Sequence, residues 1–144
     1  MTNFDNVQLL KECDAGAKMA VSSFDDVLEH VCDCNMKKLL QDSKKEHEKL
    51  GNEIHILLKE CGAQDKDPNP MAKSMSWIKT NMKLAIDNSD ATVADLIIDG
   101  CNMGVKSLYK YLNEYEEADA ESKRLCKKLI GEEERLCDEL KAYL

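Results

Sequence analysis

Apolar residues recur every three or four positions along most of this chain, which is the spacing of one face of an α-helix. The first such stretch runs from about residue 4 to 32, and the second begins near residue 36 and ends at Gly62. A glycine can take the left-handed conformation that ends many helices. Pro68 and Pro70 lie in the linker that follows, and prolines this close together cannot lie inside a helix. The pattern therefore predicts a helical hairpin followed by a break.

The pattern resumes after the break with a short amphipathic stretch at about residues 71–86. A helix of that length spans roughly 24 Å at about 1.5 Å per residue, enough to carry the chain back along a bundle. Ser89 or Asp90 can cap the next helix, which is predicted to end near residue 116. A last helix is predicted at about 119–143. The chain is therefore expected to form two hairpins joined by a crossover helix.

The two hairpins resemble each other in sequence. In the first helices, Gly16, Met19, Val21, Ser23 and Leu28 recur 84 residues later as Gly100, Met103, Val105, Ser107 and Leu112. In the second helices, Glu46, Glu48, Leu50, Glu53 and Leu58 recur 86 residues later as Glu132, Glu134, Leu136, Glu139 and Leu144. The small difference in offset falls in the hairpin loop, where insertions are tolerated. We therefore expect one all-α domain over residues 1–144, with hairpin repeats at 4–61 and 89–144 and the linker and crossover helix at 62–88.

The charge balance limits the partners that this fold can have. The 144 residues include 20 Lys and Arg against 28 Asp and Glu, a net charge of −8. Such a surface does not suit phosphate backbones or anionic lipids, so neither nucleic acid nor membrane is expected as a partner. No uncharged run approaches the roughly 20 apolar residues that span a bilayer, and the first residues lack a signal-peptide pattern. We therefore expect a cytoplasmic protein.

Seven cysteines are present, and none belongs to a C-x-x-C motif, so a zinc finger or ribbon is not supported. Four of them fall on apolar helix faces and are expected to be small core residues: Cys13, Cys101, Cys126 and Cys137. The others are expected to be reduced thiols near helix ends. The cysteines therefore predict neither a disulfide framework nor a cysteine-rich metal site.

A bundle of two helical hairpins with one long crossover resembles the ferritin-like superfamily. The short helix after a proline-containing linker, and the paired Gly16 and Gly100, are similar to small bacterial members of that superfamily. Where the family binds metal, a Glu on each of two helices and a Glu-x-x-His on each of the other two hold two iron or manganese ions. This chain has no Glu-x-x-His, and other residues stand where the single glutamates would be: Met19, Ser23, Met103 and Ser107. Ferroxidase and peroxidase activities are therefore not expected.

One polar pair falls on the apolar seams of the predicted bundle. His47 lies on the seam of the second helix, and Glu133 is its repeat counterpart on the seam of the last. Three interpretations remain open. The two side chains satisfy each other in the core, or a small helix rotation places one of them at the surface. Alternatively, they hold one divalent iron, manganese or zinc ion with Cys101, assisted by Glu46 or Glu132. Only this last interpretation implies a cofactor.

A candidate interface lies on the predicted short helix. It carries Met71, Met75 and Met82 on one stripe, and methionine-rich surfaces adapt to varied partners. Two arrangements are open for this stripe: it packs on the bundle, or it faces a partner. Trp77 lies one residue off the stripe and is expected to be partly exposed. This arrangement predicts homodimerisation through the short helix. The sequence thus favours a non-enzymatic bundle that acts by self-association or protein binding, with divalent-metal binding as the alternative and no substrate indicated.

Overall fold

The computed structural model describes residues 3–62 and 87–144, and all regular structure in these ranges is helical. The helices are α1 (Phe4–Leu28), α2 (Cys34–Glu60), α3 (Asp90–Glu114) and α4 (Ala120–Leu140), and a 3₁₀ turn at Lys141–Tyr143 follows. The all-α prediction is thus confirmed for the described ranges. The predicted short helix at 71–86 lies outside them. Within them, no helix has both the length and the apolar content needed to cross a lipid bilayer.

Each helix begins where a side chain can satisfy the free N–H groups of the first turn. The four capping residues are Asn3, Asp33, Ser89 and Asp119. Gly62 follows α2 with a φ of +72°, as expected for a glycine that ends a helix. Ser89 is the cap of α3, which decides between the two candidates that the sequence left open.

The predicted helix ends are less accurate than the starts. α1 ends at Leu28 and not near residue 32, because the backbone N–H groups of Cys32 and Asp33 donate to the carboxylate of Asp90 at 2.8 and 2.9 Å. These groups are therefore held outside the helix by a residue of the other hairpin. α4 likewise gives way to the 3₁₀ turn after Leu140.

Hydrogen bonds at the two ends of the bundle define how the helices run. At one end, Asn6 near the start of α1 donates from Nδ2 to Asp119, the cap of α4, at 2.6 Å. At the opposite end, Asp90 at the start of α3 accepts the bonds from the loop between α1 and α2. α1 and α4 therefore begin at the same end, and α2 and α3 begin at the other. The four described helices run up, down, down and up, as expected for two hairpins whose connection carries the chain back along the bundle.

The core consists of two apolar clusters, one around Phe24, Leu40 and Ile97 and the other around Leu9, Leu50 and Leu129. The predicted core cysteines are confirmed as buried free thiols: Cys13, Cys101, Cys126 and Cys137. Along α2, His47 lies between Leu40 of the first cluster and Leu50 of the second, so the polar pair is situated where the clusters meet.

Burial in α2 recurs in α4 with the 86-residue offset of the sequence repeat. In α2, the buried residues include Met36, Leu40, Ser43, His47, Leu50 and Ile54. Their counterparts are all buried in α4: Ser122, Cys126, Leu129, Glu133, Leu136 and Leu140. The second helices of the two hairpins therefore present matching faces to the core.

Candidate functional site

His47 of α2 and Glu133 of α4 meet in the interior of the bundle. The distance from His47 Nε2 to Glu133 Oε1 is 3.7 Å, and the two side chains are 0% and 1% exposed. This distance is longer than a hydrogen bond but short enough for an ion pair. The interpretation in which one of the two lies at the surface is wrong, because both side chains are enclosed by the helices.

Residues of its own hairpin hold the His47 ring. Its Nδ1 lies 2.8 Å from the backbone carbonyl oxygen of Ser43, one turn earlier on α2. A carbonyl oxygen can only accept, so Nδ1 is the donor in this bond and carries a hydrogen. The Phe24 ring of α1 meets the imidazole edge to face, with ring centres 5.2 Å apart. Together these contacts leave Nε2 as the atom that faces Glu133.

Glu133 is set in place by its own hairpin as well. A Cβ atom added to Gly104 of α3 would lie only 2.6 Å from Glu133 Oε2, so the carboxylate occupies the space that a side chain would fill. Oε2 is buried and has no hydrogen-bond partner among the described residues. Burial raises the pKa of Glu133 above the ordinary carboxyl value, and the contact with His47 opposes that rise.

The other predicted metal ligands lie around this pair in different environments. Cys101 is fully buried on α3, where burial and then the charge of Glu133 raise the pKa of its thiol. Glu132 is half-buried and binds elsewhere: it accepts a hydrogen bond from Ser43 Oγ at 3.1 Å and pairs with Arg135 Nε at 3.2 Å. Glu46 is half-buried on α2. In the two described ranges, no three His, Cys, Asp or Glu side chains form a group that could hold a metal ion.

The predicted interface residues lie outside the residues that the structure describes: Met71, Met75, Met82 and Trp77. The homodimer that they suggest therefore remains a prediction from the sequence.

A second feature joins the hairpins at their ends, and sequence reasoning missed it. The backbone N–H of Asp119 donates to Asn6 Oδ1, and the backbone N–H of Asp33 donates to Asp90 Oδ2. Asn6 and Asp90 are separated by the first repeat offset of 84, and Asp33 and Asp119 by the second offset of 86. Equivalent residues therefore make equivalent bonds at opposite ends of the bundle. The sequence does contain aligned polar residues at the helix starts. Such residues are usually explained as caps of their own helix, so they do not by themselves indicate a contact between hairpins.

The arrangement combines a closed polar centre with reciprocal contacts at both ends. An acid and a base this close in a buried position can bind or share a proton. Both side chains are enclosed, so their contact joins the first hairpin to the second. No family model, curated protein or solved structure matches this chain.

Proposed function

We propose that this protein is a non-enzymatic helical bundle that acts by self-association, through the surface along which its two hairpins pair. The observation that carries this proposal is the reciprocity of the end contacts: Asn6 binds the cap of α4 as Asp90 binds the cap of α2. In a two-fold interface, residue i contacts residue j and j contacts i. The surface of each hairpin therefore has the form of one that can pair with the other hairpin of a second copy of this chain.

A ferritin-like origin is part of the same proposal. The up, down, down, up order and the matching burial of α2 and α4 support two duplicated hairpins joined by a long connection. The described donors do not fit the two-metal centre of that family, since the buried polar centre offers one histidine and one glutamate. Self-association of a duplicated bundle is thus a better account of this chain than metal oxidation.

Self-association predicts that the mass of the protein depends on its concentration. Static light scattering from about 1 to several hundred micromolar should show the 16.3 kDa chain shifting toward about twice that mass. A mass that stays at one chain throughout this range would contradict the proposal. The matched variant is Trp77→Ala, which should leave the association unchanged if the hairpin surface carries it and abolish it if the predicted short helix does.

One observation favours a second candidate, a single divalent metal ion held by His47 and Glu133. The 3.7 Å between Nε2 and Oε1 suits two ligands of one ion at about 2.1 Å each. The Nδ1 bond to a backbone carbonyl also matches the usual support of a metal-binding histidine. A third ligand would require Cys101, Glu46 or Glu132 to move toward the pair, since no three such side chains are grouped around a metal position in the described residues.

This second candidate predicts bound metal that depends on His47. Elemental analysis of protein purified without chelator or nickel should show about one iron, manganese or zinc ion per chain, lost in His47→Leu. The matched control is His55→Leu, a half-buried position on the same helix that should retain the metal. Well under one metal ion per chain in the wild type would rule out this candidate.

A further inference from the structure

The His47–Glu133 contact is formed from two halves, each positioned within its own hairpin. Phe24 and Ser43 hold His47 in the first hairpin, and Gly104 makes room for Glu133 in the second. The two side chains then meet only across the surface where the hairpins pair. Each hairpin therefore positions its own residue of the pair, and this positioning does not depend on which hairpin packs against it.

The equivalence of His47 and Glu133 determines what other pairings would do. If a first hairpin packed on another first hairpin in the same way, His47 would face His47. If a second hairpin packed on another second hairpin, Glu133 would face Glu133. Two carboxylates enclosed together repel each other unless one of them takes up a proton, whereas a protonated histidine and a carboxylate attract.

The other matched core positions of α2 and α4 do not make this distinction. They are apolar or small and uncharged on both sides, as with Leu50 and Leu136 or Ile54 and Leu140. Contacts between apolar side chains are attractive in every combination of hairpins, so they do not repel a like hairpin. Specificity therefore has to come from a position where a wrong pairing is penalised.

We infer that the His47–Glu133 pair makes unlike hairpins associate and excludes like ones, so that a second copy of this chain is accepted only by exchange of a first hairpin for a second. The partner is thus another copy of this protein, and the contact surface is the one already used within the chain. This inference rests on the proposed self-association.

Two complementary variants test this inference in the full-length chain. His47→Glu places glutamate at both central positions, and Glu133→His places histidine at both. Within either variant, no pairing of hairpins can restore an acid opposite a base. A mixture of the two can restore both contacts, but only when the chains exchange hairpins.

The variants should be unfolded together, refolded at about pH 8, where an ordinary carboxyl is ionised, and analysed by native mass spectrometry. We expect heterodimers to exceed both homodimers by at least about tenfold over random pairing. The mixture should also regain most of the wild-type thermal midpoint. If either variant alone does not fold, recovery of the helical circular-dichroism signal on mixing gives the same answer.

The matched control is a mixture of His55→Glu and Glu134→His, which makes the same chemical exchanges at a half-buried and an exposed position. This mixture should form no excess of heterodimer. A central-pair mixture that behaves as the sum of its separately refolded parts, or that pairs at random, would overturn the inference. A wild-type protein that never associates would instead refute the proposed function. It would leave the inference intact, because heterodimers of the variants can form even if the wild type is a monomer.

Discussion

Replacement of His47 with leucine is expected to lower the free energy of unfolding by about 3–5 kcal/mol, because removing one partner of a buried pair leaves the other uncompensated. Glu133 is 1% exposed, and its Oε2 has no hydrogen-bond partner among the described residues even in the wild type. Chemical denaturation at neutral pH measures this loss directly. The slope of the transition should be unchanged, since the surface exposed on unfolding is nearly the same.

Two further variants separate the lost pair from a general packing defect. His47→Leu combined with Glu133→Leu removes both polar groups and should recover most of the stability, because an apolar replacement of a buried pair is often neutral or stabilising. His55→Leu, on the same helix but half-buried, should lower stability by less than His47→Leu does. Additive losses in the double variant would show that the two residues do not act as a pair.

Gly104→Ala is expected to lower the free energy of unfolding by about 1–3 kcal/mol, although alanine favours a helix over glycine by about 1 kcal/mol. The new Cβ would lie 2.6 Å from Glu133 Oε2 and 3.0 Å from Oε1. The carboxylate must then move, and it has little room because the side chain is enclosed. Thermal or denaturant unfolding of the purified variant tests this expectation.

The control for Gly104 is Gly131→Ala at an exposed position in α4, where a Cβ would meet no described atom within 4 Å apart from its chain neighbours and the nearby backbone of its own helix. This control should be stabilised by about 0.5–1 kcal/mol, as for an unhindered helical glycine. In a Glu133→Ala background, Gly104→Ala should likewise become stabilising. A destabilising effect that persists without the carboxylate would show that the clash is with some other group.

If these variants behave as expected, His47, Glu133 and Gly104 form one unit, and its loss lowers the stability of the contact between the two hairpins. The unit would then give a reason for an ionisable pair in a mostly apolar core. The pair supplies directionality that apolar residues lack, in the way that a single buried polar residue sets the register of a coiled coil.

Much of the fold could be predicted from local sequence. A 3.6-residue period shows which face of each helix is buried, and it placed His47 and Glu133 on the inner faces of α2 and α4. The prediction that Gly62 follows the end of α2 also depended only on nearby residues. A glycine with positive φ ends the helix that precedes it, and no distant residue is needed. The buried state of Cys13 and Cys126 follows from the same periodicity.

Other features depend on residues far apart in the chain. The end of α1 at Leu28 is determined by Asp90, whose carboxylate binds backbone groups of the first hairpin loop. Glu132 and Glu133 are adjacent in sequence, yet Glu132 pairs with Arg135 while Glu133 faces His47. Periodicity places Glu133 on the inner face, but it does not show which side chain each carboxylate meets.

The sequence by itself thus determined four helices with defined apolar faces, because hydrogen bonding and side-chain direction within a helix are local. Only the tertiary structure decided that His47 lies 3.7 Å from Glu133, that Gly104 makes room for the carboxylate, and that the hairpins exchange equivalent bonds at both ends. These contacts depend on the rotation and axial position of one helix against another. That geometry is determined by the packing of the whole core and not by any single segment.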